Sequence, residues 1–114
     1  MPADCLFCRM AAGAIPVTPL CENEAAFAIR DINPRAPVHV LVIPRLHIPD
    51  ARDLTAADGA TLGALFQLAG EAGRVEGVHE TGYRLAFNVG EAAGMTIPHL
   101  HLHLLGGRQL GPEG

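Results

Sequence analysis

The sequence contains no lysine and no tryptophan, and charged residues make up only 18% of its 114 positions. The formal net charge is -4, which leaves no basic surface of the kind that binds nucleic acid. No apolar run is long enough to cross a membrane, and the N-terminus lacks a secretory signal, so we expect a cytoplasmic protein with no membrane or nucleic-acid partner. The absence of a Gly-x-x-x-x-Gly-Lys motif excludes a P-loop NTPase.

Apolar residues are abundant enough to build a core. They account for 49% of the sequence, which argues against disorder, and the length predicts a single domain over residues 1–114. Three cysteines, two of them in Cys5-x-x-Cys8, do not resemble a disulfide framework. We interpret Cys21 as a small buried hydrophobic residue.

Histidine and leucine alternate along residues 98–105. A period of two predicts a β-strand that buries its leucines and presents His99, His101 and His103 on the opposite face. Neighbours on one face lie about 6.6 Å apart, so His99 and His103 would be about 13 Å apart. Three histidines in such a row would strain to bind one small metal ion. We therefore expect the row to be divided between two sites.

Four further strands are predicted, a hairpin over 20–24 and 25–30, a buried strand over 38–43 and a strand over 83–88. A capping box at Thr55-x-x-Asp58 begins the long helix, in which Leu62, Leu65, Phe66 and Ala69 recur at helical spacing. A short helix follows Cys5 and stops at Gly13. The predicted fold is α+β, a mostly antiparallel five-stranded sheet with one long and one short helix on one face.

Two segments leave alternatives open. His39 lies inside an apolar strand, where a lone histidine is more often a core residue than a catalyst, although the histidine row favours catalysis. The loop 89–97, flanked by Asn88 and Thr96, is either a loose hairpin or a place where backbone amides approach an anion. His79 is interpreted as a solvated loop residue.

Cys5 and Cys8 have the spacing of half a tetrahedral zinc site. A redox pair has the same spacing, but it should lie between a strand and a helix of a thioredoxin pattern, which the N-terminus does not show. The unassigned candidates for the remaining ligands are His47, in an exposed loop, and His99. We therefore expect a structural Zn²⁺ ion.

His101 and His103 then remain beside the glycine-bearing loop, with Asn88 nearby. Imidazole is a competent nucleophile at neutral pH, and attack on phosphorus would give a covalent phospho-histidine. Amides, a hydroxyl and a second imidazole can stabilise the phosphate oxygens without lysine.

The sequence resembles the histidine triad (HIT) family, and more closely its Hint branch. The family motif His-φ-His-φ-His-φ-φ, with φ apolar, fits residues 99–105 without exception. Similar motifs run along almost the whole chain in order: Cys5-x-x-Cys8, Asp31-Ile-Asn-Pro-Arg-Ala-Pro-Val-His39, Val42-Ile-Pro-x-x-His47, Tyr83-Arg-Leu-x-x-Asn88 and Leu105-Gly-Gly-Arg-Gln109. Thr96 stands where the branch usually has serine.

The resemblance implies a homodimer whose sheet continues across the interface, with a purine nucleotide site of AMP or GMP type on each subunit. It implies hydrolysis of nucleoside 5′-phosphoramidates and acyl-nucleotides through a nucleotidyl-histidine intermediate. By this resemblance, His101 is the nucleophile, His103 assists the leaving group, and His39 supports His101. Asn88 and Thr96 would hold the phosphate or leaving group, Asp31 the ribose, and Phe7, Met10, Ile29 and Ile32 the base. The metal ligands implied are Cys5, Cys8, His47 and His99.

Two alternatives remain. A dinucleoside polyphosphate hydrolase of the same family shares the triad, although residues 38–44 and the Gly-Gly-Arg-Gln segment favour the Hint branch. A nucleotide-binding scaffold whose activity is incidental would carry the same intact site. A nucleotidyl transferase would need an acceptor pocket that the sequence does not identify.

Overall fold

The computed structural model describes residues 4–113. Its regular elements are helix α1 (Leu6–Ala11), strands β1 (Cys21–Glu22), β2 (Ala26–Arg30) and β3 (Val38–Pro44), helix α2 (Gly59–Val75), and strands β4 (Tyr83–Phe87) and β5 (Leu102–Gly106). Short 3-10 turns lie at 51–53, 56–58 and 91–93. The five strands form one sheet in the order β1-β2-β3-β5-β4, and every neighbouring pair is antiparallel. The predicted α+β sheet with one long helix is confirmed.

The two helices lie on opposite faces of this sheet, so the prediction that they share one face is wrong. β2 and β3 are apolar on both sides. Ala26, Ala28, Val40 and Val42 pack in the core beneath α2, whereas Phe27, Leu41 and Ile43 pack with Phe7 and Cys8 of α1. We call these the α2 face and the α1 face. A sheet that is apolar on both faces needs a cover on each, and the short N-terminal helix supplies the second one.

Helix α2 covers its face with a row that differs in part from the predicted one. The capping box of Thr55 and Asp58 is present, although it closes a 3-10 turn that leads into the helix. Leu65, Leu68 and Ala69 are fully buried, whereas Phe66 is 45% exposed and packs edge-on against Phe87. Phe66 therefore lies outside the buried row that faces the sheet, and Leu68 belongs to that row instead.

The triad strand is shorter than predicted, because β5 begins at Leu102. Continuing the β3–β5 register would pair Leu100 with Pro44, which has no amide hydrogen to donate. The Leu100 amide instead donates to the carbonyl of Ile48, at 2.6 Å. The alternation still sorts the side chains, since Leu100, Leu102 and Leu104 are all buried in the α2-face core.

Other expectations can be compared directly. The predicted hairpin at Asn23 is present, and Cys21 within it is half-buried instead of buried. His79 is exposed, as interpreted. Within residues 4–113, no helix is both long and apolar enough to cross a membrane.

Candidate active site and metal centre

Two cysteines and two histidines converge beside α1. His99 Nδ1 lies 3.3 Å from Cys5 Sγ, 3.5 Å from Cys8 Sγ and 3.1 Å from His47 Nδ1. Cys8 Sγ and His47 Nδ1 are 3.2 Å apart, and all four donor atoms lie within 4.8 Å of one another. Four ligands arranged tetrahedrally at zinc–ligand distances of about 2.0–2.3 Å would be about 3.3–3.8 Å apart, so the cluster is close to the size a zinc ion needs.

The surroundings of the cluster also suit a metal ion. His99 Nε2 lies 2.8 Å from the carbonyl oxygen of Pro44, which can only accept, so the ring proton is on Nε2 and Nδ1 keeps its lone pair for a metal. Without a metal, burial and the neighbouring Cys5 thiol raise the pKa of Cys8 to about 11. A cation bound here would convert the buried Cys8 thiol to a thiolate, with release of its proton. The cluster can therefore hold a metal ion.

His47 reaches the cluster from the loop after β3. We predicted that this loop exposes it, but the side chain is half-buried and stacks edge-on against His99, with ring centroids 5.0 Å apart. The next residue, Ile48, is buried in the α2-face core and its carbonyl accepts the Leu100 amide. These contacts join the His47 loop to the segment that carries His99.

His101 follows two residues after the metal candidate His99. Its Nδ1 lies 2.7 Å from the His99 carbonyl oxygen, so Nδ1 carries the proton and donates it. In the neutral ring, Nε2 therefore keeps its lone pair. The ring packs edge-on against Phe7 at a centroid distance of 5.3 Å and lines the cleft described below. This arrangement fixes which nitrogen of His101 can act as a nucleophile.

The resemblance implied that His39 supports His101. In the structure, His39 contacts His103. Its Nε2 lies 2.9 Å from His103 Nδ1, because β3 and β5 are neighbours and Leu41 pairs with His103, whereas His101 precedes the paired part of β5. The expectation that His39 supports His101 stays a prediction, and in the structure such support would act through His103.

A backbone amide sets the proton positions in this pair. The Arg35 amide donates to His39 Nδ1 at 3.2 Å, so the proton of neutral His39 is on Nε2 and is donated to His103 Nδ1. His103 then carries its own proton on Nε2. The atom of Asn88 that lies 3.4 Å from His103 Nε2 is the amide nitrogen Nδ2, and exchanging the amide nitrogen and oxygen by a flip would place Oδ1 there to accept the proton.

Burial keeps both rings neutral. Burial, followed by the charges of His101 and His39, lowers the pKa of His103 to about 4. Burial also lowers the pKa of His39, against the opposing effect of the Asp31 carboxylate 3.5 Å away. At neutral pH, His103 is thus a hydrogen-bond donor through Nε2–H without being an imidazolium ion.

Asp31, His39 and His103 also bring three possible metal ligands within 4.8 Å of one another. A metal at this position would need a lone pair on His39 Nε2. The Arg35 amide keeps the proton on that atom, because with the proton on Nδ1 two donors would face each other. We therefore assign this group to hydrogen bonding.

A cleft of about 320 Å³ opens on the α1 face next to the histidines. Every predicted substrate-binding residue lines it, together with His101 and His103: Phe7, Met10, Ile29, Asp31, Ile32, Asn88 and Thr96. His39 does not line the cleft and lies behind His103. Sequence reasoning missed other lining residues, among them Leu6, Asn33, Arg35 and Ile97. Arg35 and Asn33 could have been found, since they follow Asp31 in the same turn.

The loop after Asn88 curls over one side of the cleft. Gly90 and Gly94 have φ of 77° and 85°, and the Gly90 carbonyl accepts the amides of Ala93 and Met95 at 3.2 Å each. These left-handed positions suit glycine, and Gly94 and Thr96 of this loop line the cleft. Two backbone hydrogen bonds to the Gly90 carbonyl thus close the loop on itself, and the alternative that its amides approach an anion stays a prediction.

The fold and the two histidine sites define an α+β domain of the histidine triad type. The chain matches the HIT domain family over residues 12–110. It is 45% identical over 108 residues to a 13.2 kDa HIT-like protein of Azospirillum brasilense, covering 94% of this chain and 88% of that one. It is 38% identical over 112 residues to the purine nucleoside phosphoramidase of Escherichia coli K12, covering 98% of this chain and 94% of the relative.

Solved structures agree. A HIT family hydrolase from Legionella pneumophila Philadelphia 1 has a TM-score of 0.92 and 45% identity, covering 97% of this chain and all 100% of that one. A HIT family hydrolase from Clostridium thermocellum has a TM-score of 0.93 and 42% identity, covering 99% and 98%. The chain belongs to the HIT domain family. The prediction of a hydrolase is confirmed at that level.

Proposed function

We propose that the protein is a nucleotide hydrolase that cleaves nucleoside 5′-phosphoramidates and acyl-nucleotides through a nucleotidyl-His101 intermediate. The observation that carries the proposal is the bond from His101 Nδ1–H to the His99 carbonyl, which leaves Nε2 with a lone pair at the cleft wall. The name of the Escherichia coli relative supports the same substrate class.

In the proposed first step, His101 Nε2 attacks the α-phosphorus. A P–N bond to the imidazole forms while the bond to the leaving amine or acyl group breaks, and a departing amine takes up a proton from water. His103 donates a hydrogen bond from Nε2–H to a phosphate oxygen or to the leaving group. Water then attacks phosphorus, which releases the nucleotide and restores His101.

We assign the remaining lining residues by their chemistry. Asp31 accepts hydrogen bonds from the ribose hydroxyls, while Asn88 and Thr96 hold phosphate oxygens or the leaving group. Phe7, Met10, Ile29 and Ile32 form the apolar wall against which a purine base packs. Ile32 is 91% exposed, which fits a side chain that a base would cover.

We further propose that the Cys5, Cys8, His47 and His99 cluster holds a structural Zn²⁺ ion. All four positions would be protein ligands, so the ion would have no open position for substrate and would only join α1 to the triad segment. We also propose a homodimer in which the sheet continues past β4. Among the described strands, β4 pairs only with β5, and the exposed Phe66 packs on its Phe87.

The test is AMP release from adenosine 5′-phosphoramidate, measured beside diadenosine polyphosphate. The wild-type protein should release AMP rapidly from the phosphoramidate, and His101→Ala should abolish turnover while AMP still binds, as measured by calorimetry. His79→Ala is the matched control, because His79 is an exposed loop histidine. Faster hydrolysis of the polyphosphate would indicate a dinucleoside polyphosphate hydrolase. No turnover of either substrate would favour a nucleotide-binding module.

A further inference from the structure

The turn after β5 is packed tightly against the turn before β3. Gly107 has φ of +88°, and a Cβ at this position would lie 2.9 Å from Pro37 Cβ and 3.3 Å from the Val38 amide nitrogen. Only glycine allows both the left-handed backbone and this close approach. The contact therefore depends on the absence of a side chain at Gly107.

Arg108 adds a second, independent contact between the same turns. Its Nη2 donates to the carbonyl oxygen of Arg35 at 3.2 Å, and its Nη1 donates to the carbonyl of Gln109 at 3.1 Å. The guanidinium thus ties the Arg35 backbone to the segment that directly follows β5. His103 belongs to β5, and Arg108 lies two residues beyond the end of that strand.

The anchored residue is the one that fixes the proton of His39. The Arg35 carbonyl accepts from Arg108, and the Arg35 amide donates to His39 Nδ1. If the turn moved and that amide were lost, only the Asp31 carboxylate, 3.5 Å from His39 Nε2, would still favour a proton on Nε2, and neutral His39 could also carry its proton on Nδ1. His39 Nε2 would then accept instead of donate, and the proton of His103 would move from Nε2 to Nδ1. The hydrogen donor that faces the cleft would disappear.

We propose that Arg108 and Gly107 are positioning residues that hold the Arg35 turn so that the His39–His103 pair keeps its protons on both Nε2 atoms. Neither residue lines the cleft, and both are exposed, so they act through Arg35 and His39. The effect on turnover rests on the proposed function, whereas the proton positions can be measured without any substrate.

Arg84 offers a matched control for the long cationic side chain. It lines the same shallow groove as Arg108, and its Nη2 donates to the carbonyl oxygen of Gly111 at 2.7 Å. It therefore makes the same kind of contact to the same segment without reaching Arg35. If the groove served only to bind an anion or to hold the C-terminal segment, Arg84→Gln and Arg108→Gln would behave alike.

The experiment is two-dimensional NMR of the protein labelled with ¹⁵N-histidine, which reports the proton position in each ring. The wild type should show His39 and His103 as Nε2–H rings at pH 7. Arg108→Gln should shift both towards a mixture of the two ring forms, with a roughly tenfold fall in kcat and little change in KM, and Arg84→Gln should match the wild type. Gly107→Ala should give the same shift more strongly.

The outcomes separate clearly. Wild-type ring signals in Arg108→Gln would overturn the proposal even if activity fell, and so would equal shifts in Arg84→Gln. Nδ1–H rings in the wild type would overturn it as well. Should Gly107→Ala fail to fold, the ring signals of Arg108→Gln still test the proposal, because Arg108 is exposed. A normal ring response in a protein inactive on phosphoramidates would refute the proposed function and leave the positioning role in place.

Discussion

If the Cys5, Cys8, His47 and His99 cluster holds the proposed Zn²⁺ ion, removing that ion should cost the protein a large part of its stability. An ion that binds the folded state at a free concentration a thousandfold above its dissociation constant stabilises that state by about 4 kcal/mol. Unfolding entropy of about 2.1 cal/mol/K per residue converts this, for 114 residues, into a fall of about 15–20 °C in Tm when a chelator is added. The large effect is expected because Cys5, Cys8 and Phe7 form the core on the α1 face.

The assay is thermal unfolding with zinc and with chelator, together with native mass spectrometry for the metal content. Circular dichroism suits the unfolding measurement, since the chain has no tryptophan for fluorescence. Cys8→Ala should bind zinc poorly and should show a Tm that no longer depends on zinc. Cys21→Ala is the control, because Cys21 packs against the core on the opposite face. A wild-type protein that carries no zinc and unfolds at one temperature in both buffers would refute the four-ligand assignment.

Further predictions concern the helix, the hairpin and the buried pair. Gly63→Ala should raise the free energy of unfolding by about 1 kcal/mol, since a Cβ at this position would contact no other atom. Gly73→Ala should be about 1–3 kcal/mol less stable than Gly63→Ala, because its Cβ would lie 2.9 Å from the Tyr83 ring. Equal gains in urea unfolding would contradict this packing. Asn23→Ala should cost about 1–2 kcal/mol, because the Asn23 side chain caps two backbone amides of the hairpin and donates to a carbonyl of α2, and an unchanged urea midpoint would argue against those bonds. The free energy of unfolding should fall as pH drops from about 6.5 to about 4, because histidine is protonated in the unfolded chain while His103 stays neutral in the folded protein. His103→Gln should make this pH dependence shallower.

The sheet could be predicted from the sequence because its strands have recognisable patterns of apolar and polar residues. The apolar run at 38–43 predicts burial on both faces, and the alternation at 98–105 predicts which leucines enter the core. The position of α1 was not readable, because six residues carry no periodicity that says which face they cover. The start of β5 depends on Pro44, a residue about sixty positions earlier, so local alternation could not reveal it.

Part of the candidate site could likewise be predicted from the sequence, and part could not. Residue types and the family resemblance predicted which cysteines and histidines lie together and which residues line the cleft. They did not identify the partner of His39, because that follows from the register of β3 against β5. The amide of Arg35 was missed for another reason. A backbone group leaves no trace in the residue types, so only coordinates could show that it sets the proton positions.

The strand order has a consequence for how the chain folds during synthesis. Among the described strands, Leu102–Gly106 leaves the ribosome last, yet it lies inside the sheet between β3 and β4. Until it arrives, β3 and β4 each present an unpaired edge, which is a hazard for aggregation. The His39–His103 contact, 64 residues apart in sequence, can form only when this gap closes. A nascent chain therefore has no assembled histidine pair until its sheet is complete.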